Sequence, residues 1–375
     1  MTTLQQRIQA PGPKKILALD GGGIRGMLTV EVLAAIEAML RRALHRDENF
    51  VLADYFDYIA GTSTGAIIAT CLSWGMSVNQ IRDFYLQNGR QMFDKASLLR
   101  RHRYKYEDAN LSNRLQQEFG PATTLGTDKL RTLLMMMMRN ATTDSPWPIS
   151  NNPHAKYNDR SRADCNLDLP LWQLVRASTA APVYFPPEVV RIGNKEFIFV
   201  DGGITPYNNP AFQVFLMATL EPYNLNWPTG EENLLIVSIG TGTNPEAEDT
   251  LSSSDMHLFY NATTLPSALM YAALNEQDLL CRTFGKCLVG DQLDSEIGDL
   301  IGTKGPVSPK LFTYLRYNAE LTKDGLQSLG ITDINPKDVQ QLDSFAHVEK
   351  LQRIGKAVAH QKVHVRDFAS FLSPV

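Results

Sequence analysis

The chain has 375 residues and predicts an α/β fold with a mainly parallel central sheet flanked by helices. Three observations carry that prediction. Residues 15–19 (KILAL), 55–60 (YFDYIA) and 234–239 (LLIVSI) are short apolar runs suited to buried strands. The first two are each followed by a small-residue turn and then by helical patterning, the order of repeated strand–turn–helix units. Hydrophobic residues make up 43% and charged residues 20%, a globular balance that argues against disorder.

The elements follow in order. Residues 1–13 end in Pro11-Gly12-Pro13 and read as a flexible lead. After the strand at 15–19 and a glycine turn at 20–26, residues 27–44 place Leu28, Val32, Ala35, Ile36, Met39 and Leu40 on one helical stripe. The second strand, 55–60, leads into a small-residue helix at 64–73. Helices are expected at 77–91 and 107–119. Residues 130–140 (LRTLLMMMMRN) favour a buried strand, because methionine packs irregular cores and turn residues follow. The stretch 142–170, rich in Asn, Asp, Ser and Pro, is expected to be one long loop. A helix at 171–180, a strand at 196–200 (EFIFV), a helix at 209–220 and the strand at 234–239 come next. Helices at 265–284 and 343–361 and a strand at 311–316 complete the reading. It divides the chain into the lead, a main domain at 14–240 and an extension at 241–375 that packs on or completes it.

Net charge is −4, which argues against a coat for DNA or RNA, whose domains are strongly basic. The four cysteines, 71, 165, 281 and 287, have irregular spacing and form no metal motif or disulfide framework. No apolar run reaches the ~18 residues of a spanning helix, and the polar N-terminus has no apolar signal core. A cytoplasmic protein with reduced thiols, no metal and no cofactor is the expectation.

Two glycine-rich turns can carry chemistry. Asp20-Gly21-Gly22-Gly23-Ile24-Arg25-Gly26 contains G-x-G-x-x-G between a strand and a helix. That pattern suits a dinucleotide pyrophosphate, and it equally suits backbone N–H groups aimed at a developing oxyanion. Gly61-Thr62-Ser63-Thr64-Gly65 is G-x-S-x-G, the sharp turn that exposes a nucleophilic serine. A chain of this length shows the pattern by chance roughly 0.1 times, so its setting between a strand and a helix is what makes it informative. A serine nucleophile needs a base. No histidine follows a strand in a glycine turn, and His154 is the best of a weak set. Asp201, in Asp201-Gly202-Gly203 after EFIFV, is the stronger candidate. It reaches the edge that holds Ser63 if its strand runs parallel to the others.

DGGGIRG at 20–26, GTSTG at 61–65 and DGG at 201–203, in that order, resemble the patatin-like phospholipases. ASTAAPVYFPP at 177–187 is similar to a segment that precedes the last motif in that family. The resemblance is strongest over about 14–210 and extends less specifically through LLIVSIGTGT at 234–243. It implies a patatin-like three-layer fold and a serine acyl hydrolase acting on phospholipids. Carried over by position, Ser63 is the nucleophile and Asp201 the general base. Gly22 and Gly23 supply oxyanion-hole amides, Gly21 shapes the turn and Arg25 supports it or faces a phosphate head group. Gly26, Gly61, Gly65, Gly202 and Gly203 support the elbow and its loops.

A lipid substrate implies peripheral contact with a phospholipid membrane surface, at its inner face for a cytoplasmic protein. Leu98–Lys105 mixes apolar and basic residues that suit such contact. The format is similar to bacterial effectors of this family that a cyclic di- or trinucleotide switches on in antiphage defence. The stretch Arg139-Asn140 through Arg162 is the place expected to hold its phosphates. Self-association is left open. Three alternatives stay open as well: an acyltransferase using the same nucleophile, with coenzyme A or a lipid as partner, a dinucleotide-binding protein, and a catalytically silent lipid-binding scaffold.

Overall fold

The computed structural model describes residues 3–92, 108–182, 184–245, 258–343 and 345–372. The expected membrane-contact segment Leu98–Lys105 lies outside them. In chain order the elements begin with α1 (Leu4–Gln9), β1 (Lys14–Leu19), α2 (Gly26–Ala43), β2 (Tyr58–Thr62), α3 (Thr64–Trp74), α4 (Val78–Met92) and α5 (Asp108–Phe119). Next come β3 (Leu133–Asn140), β4 (Ser145–Ser150), α6 (Leu171–Ser178), β5 (Glu188–Ile192), β6 (Lys195–Asp201), α7 (Ala211–Thr219) and β7 (Leu234–Ile239). The last are α8 (Leu258–Phe284), β8 (Lys286–Val289), β9 (Thr313–Tyr317), α9 (Lys323–Ser328), α10 (Pro336–Gln340) and α11 (Val348–Lys362).

One sheet runs in the order β5-β6-β3-β2-β1-β7-β9-β8, with β4 also paired to β3. From β3 to β8 every neighbouring pair is parallel. This is the expected α/β architecture with helices on both faces. Side chains of a strand alternate between faces, and here both faces are buried. Leu17, Leu19, Leu134, Met136, Met138, Val237 and Ile239 enter the core under α2, α3, α6 and α11. Ile16, Ala18, Leu133, Met135, Met137 and Ile236 enter the core under α7. The four methionines are therefore the middle of a two-sided strand, and thioether flexibility fills both cores.

Three differences from the sequence reading have local causes. The lead expected to be flexible holds α1, whose capping box pairs Thr3 with Gln6 and whose Ile8 is buried; six residues are too few to show a helical period. The long loop expected at 142–170 contains β4, antiparallel to β3. Its Pro146 and Pro148 disguise a strand, yet they occupy alternate positions on one outer edge, where the missing N–H groups break no ladder. The second strand starts at Tyr58, not 55, because a 3-10 turn at Leu52–Asp54 precedes it and the Asp57 carboxylate accepts from Lys15 N–H at 2.8 Å.

The C-terminal third is part of the sheet. β9 pairs with β7 along Leu235–Ile239, and β8 pairs with β9. α11 packs along α2, and Gly355 permits the approach: a Cβ there would stand 2.6 Å from Leu28 O. The four cysteines are buried and free. Burial raises the Cys71 thiol above its ordinary value and pushes Cys287 up to about 12, which suits inert core thiols. No described helix is long and apolar enough to cross a membrane.

Candidate active site

β1, β2 and β7 end at one edge of the sheet, and β1 and β7 are the neighbours across which the chain reverses its strand order. Open α/β sheets hold ligands at such a switch point. The DGGGIRG turn follows β1, the GTSTG turn follows β2, and Gly240-Thr241-Gly242 follows β7. The Thr241 hydroxyl donates to Gly21 O at 2.7 Å, tying two of the three turns together.

Ser63 stands between β2 and α3 with φ 54° and ψ −122°. A non-glycine residue at positive φ is strained, and strain of this kind collects at functional sites. The turn is tight because Gly61 and Gly65 carry no side chain. A Cβ on Gly61 would lie 2.1 Å from Gly65 O, and one on Gly65 would lie 2.3 Å from Leu19 O. The Ser63 N–H donates to Ser178 Oγ at 3.0 Å, and the Ser178 hydroxyl donates to Met137 O at 2.6 Å. α6 thus pins the apex of the elbow to β3.

Asp201 reaches Ser63 by a route the sequence reading did not anticipate. β6 is antiparallel to β3, not parallel. β2 pairs with β3 only as far as Thr62 opposite Met137. β6 takes over the same edge of β3 at the next residue, with Asp201 opposite Met138. It arrives from the other direction and ends where β2 ends, so Asp201 abuts the elbow. The Ser63 hydroxyl donates to Asp201 Oδ2 at 2.5 Å. The other carboxylate oxygen accepts from Gly203 N–H at 2.6 Å. Asp201 is only 4% exposed. Burial raises its pKa to about 6, against the opposing pull of the Ser63 hydrogen bond, the Gly203 amide and the Arg176 charge. A carboxylate held near 6 is a far better proton acceptor than one near 4.

The glycine turn sits against the serine. A Cβ on Gly21 would be 3.2 Å from Ser63 Cβ. Gly21 N–H is spent on Asn208 O at 3.2 Å, and Ile24 N–H on Leu342 O at 2.9 Å. The Gly22 and Gly23 amides lie between those two anchors. Gly23 has φ 58°, and a Cβ there would stand 2.2 Å from Leu342 O. Gly26 begins α2 against Thr64 of the elbow. Gly202 approaches Met137 O and Gly203 approaches Asn208, so the DGG turn is wedged between β3 and the glycine loop. Arg25 is half-buried, and among the described residues its buried Nε has no hydrogen-bond partner. Burial lowers its pKa to about 10, offset in part by Asp20.

The motifs assign no role to four residues of this site: Arg176 and Arg316 lie outside them, and Asp20 and Ser178 lie inside DGGGIRG and ASTAAPVYFPP. Asp20 and Arg316 form a buried bidentate pair at 2.9 and 2.6 Å, and Arg316 also donates to Ser238 Oγ at 2.7 Å. Burial opposes the charge on Arg316, but Asp20 outweighs it and holds the guanidinium above its ordinary value. Arg316 lies on β9, far outside the glycine-rich motifs. The signal for it is an arginine inside the apolar run LFTYLRY. Ser178 and the fully buried Arg176, which donates to Pro186 O at 2.9 Å, come from α6.

His154 is not part of the arrangement; its ring faces Gln5 Nε2 at 3.4 Å. The expected phosphate-holding stretch is also otherwise engaged. Arg139 pairs with Asp144, Arg160 with Asp168 at 2.9 Å and Arg162 with Asp164 at 2.8 Å. A phosphate there would have to compete with three carboxylates already in place. Among the described residues no His, Cys, Asp and Glu side chains group as a metal site.

The patatin-like phospholipase family profile matches residues 17–215. Patatin group J-1 of Solanum tuberosum is 28% identical over 64% of this chain and 63% of that protein. An intracellular phospholipase A2 of Caenorhabditis elegans is 30% identical over 63% of this chain and 20% of its own. A cGAMP-activated phospholipase of Escherichia coli (strain TW11681) is 29% identical over 60% of this chain and 62% of its own. The chain thus spans less than two thirds of the length of these relatives.

Proposed function

This chain belongs to the patatin-like phospholipase family, and on that premise we propose that it is a phospholipid acyl hydrolase working through a Ser63–Asp201 dyad. The observation that carries the proposal is the 2.5 Å hydrogen bond from the Ser63 hydroxyl to a buried Asp201 carboxylate, beside a glycine turn. Ser63 Oγ attacks the ester carbonyl carbon as its proton passes to Asp201 Oδ2. The carbonyl oxygen becomes an oxyanion and accepts from the Gly22 and Gly23 amides. The tetrahedral intermediate collapses, the ester C–O bond breaks, and Asp201 returns its proton to the leaving alcohol. Water then gives a proton to Asp201, attacks the acyl-enzyme and releases a fatty acid, restoring the serine. The elbow explains why an aspartate suffices: burial has already made Asp201 a stronger base than usual.

Several features that support this reading set it apart from dinucleotide binding. The G-x-G-x-x-G turn is capped by Leu342 O and tied to Thr241, and a nucleophile stands beside it. The reading extends to a peripheral site of action at a phospholipid surface and to control by a cyclic nucleotide. One relative is named a cGAMP-activated phospholipase, and that name is the support for nucleotide control here.

The test is fatty-acid release from mixed phospholipid vesicles, measured by mass spectrometry. The wild-type protein should release free acid, and Ser63→Ala and Asp201→Ala should each lower the rate about 10⁴-fold. Substantial release by either variant would remove that residue from the mechanism. An acylated acceptor in place of free acid would make the enzyme a transferase.

A further inference from the structure

Two buried charges of α8 take no part in the chemistry described above. Asp278 is 6% exposed and Arg282 only 2%. They form a close pair: Arg282 Nε and Nη2 donate to the Asp278 carboxylate at 3.0 and 2.7 Å. A third donor, the Tyr314 hydroxyl of β9, reaches the same carboxylate at 3.0 Å. The remaining arm of Arg282, Nη1, donates to Asp291 O at 2.6 Å and to Asp299 O at 2.9 Å. Gly290 makes room for this guanidinium, since a Cβ there would stand 2.7 Å from its central carbon. Asp278 is therefore fixed from behind by a side chain that is itself fixed.

Stability alone is a weak reason for such a pair. Desolvating two charges offsets most of their attraction, and apolar side chains of similar volume often hold a core equally well. What the pair does have is a neighbour. Asp278 Oδ2 stands 4.0 Å from Arg316 Nε. Arg282, Asp278, Arg316 and Asp20 thus form a row of buried charges that alternate in sign. The row ends at the first residue of the DGGGIRG turn.

A guanidinium presents its N–H groups in one rigid plane, and the plane of Arg316 serves two anchors of that turn. Nη1 and Nη2 grip Asp20, where the turn begins. Nη1 also donates to Ser238 Oγ, and the Ser238 hydroxyl donates to Asn209 Oδ1 at 3.2 Å. The preceding residue, Asn208, accepts from Gly21 N–H through its carbonyl. A tilt of the Arg316 plane would pull on both anchors together. Asp278 faces the remaining edge, Nε, and attracts the plane from the side opposite the turn.

We propose that Asp278 is a positioning residue for the Gly22 and Gly23 amides, acting through Arg316. It touches no reacting atom. The tether stands on these contacts alone, and its effect on rate rests on the hydrolase reading. A small displacement suffices, because about 1 Å of misplacement can cost about 100-fold in rate.

The experiment compares the full chain with Asp278→Asn, with the double variant Asp278→Asn/Arg282→Met and with Tyr314→Phe. Three quantities are read: kcat and KM for fatty-acid release, the melting temperature, and amide hydrogen exchange of residues 20–26 by mass spectrometry. Asp278→Asn should lower kcat about tenfold with KM unchanged. Exchange of the hydrogen-bonded Gly21 and Ile24 amides should quicken about tenfold, while α5 is unaffected. It should also melt lower, because Arg282 is left buried without its carboxylate. The double variant removes that stranded charge. Its melting temperature should recover, while kcat and exchange stay at the Asp278→Asn values. Recovery of all three together would make the pair merely structural and overturn the proposal, as would wild-type kcat and exchange in Asp278→Asn. Tyr314→Phe removes one donor to Asp278 and keeps the ring, and should shift kcat and exchange the same way by about threefold. If neither Asp278 variant folds, Tyr314→Phe decides alone, and wild-type values there overturn the proposal. Quickened exchange in a protein whose wild type releases no fatty acid would uphold the tether and count against the hydrolase reading only.

Discussion

At the scale of single residues, two buried charges organise the site and each makes a prediction. In the proposed dyad Asp201 must be ionised to accept a proton, and burial raises its pKa to about 6. Turnover should therefore rise with pH through about 6 and level off above it, read from kcat/KM between pH 4.5 and 8. The same shift bears on stability. A carboxyl whose folded pKa exceeds its unfolded one stabilises the fold below the unfolded pKa, and that contribution is lost as pH rises through 6. Asp201→Asn, which keeps the shape and both hydrogen-bond partners, should accordingly stabilise the protein by about 2 kcal/mol at pH 7 and by little at pH 4. Denaturant melts at the two pH values check it. Arg316 is the second charge. It touches no reacting atom and acts by positioning Asp20 and the turn behind it. Arg316→Met strands a buried carboxylate and should cost about 3–5 kcal/mol. Arg316→Lys keeps the charge without the bidentate geometry. It should stay folded with kcat lowered about tenfold and KM unchanged. A Lys variant with wild-type kcat would reduce Arg316 to a structural role.

At the scale of elements, the elbow shows what a sequence makes visible. GTSTG and DGGGIRG are legible because each demands glycine where a Cβ would meet backbone, at Gly61 and Gly65 in the first and at Gly23 in the second. The parallel strands are legible because burial on both faces leaves unbroken apolar runs. The direction of β6 was not legible: EFIFV has the same pattern whether it runs up or down. Only the register, with Asp201 opposite Met138 just past the end of β2, explains how an antiparallel strand delivers its last residue to Ser63. Ser178 lies in the quoted ASTAAPVYFPP segment, but its role was not legible for a related reason. Its role is a pair of hydrogen bonds to distant chain segments, and no local pattern encodes them. Ser178→Ala should release the Ser63 amide from β3 and lower kcat about tenfold, with unchanged far-ultraviolet circular dichroism as the control for folding.

At the scale of the whole molecule, the division at residue 240 does not mark two folding units in this sheet. β9 lies between β7 and β8, and Arg316 closes a buried ion pair with Asp20, the residue that follows β1. A chain ending at residue 240 would expose the β7 edge and the unpaired Asp20 together. It should be insoluble or molten, with no cooperative thermal transition. A soluble fragment 14–240 with a sharp transition would show that the extension is an accessory. The family profile stops at residue 215, so what completes the site lies partly outside the region that identifies it.

The most direct measurement is the rate at which a fluorophosphonate becomes attached to the protein, followed by intact-mass and peptide mass spectrometry across pH. The dyad predicts a single adduct on Ser63, formed at a rate that climbs through pH about 6 and falls by orders of magnitude in Asp201→Asn. An adduct on another residue, or a Ser63 adduct whose rate ignores both pH and Asp201, would contradict it.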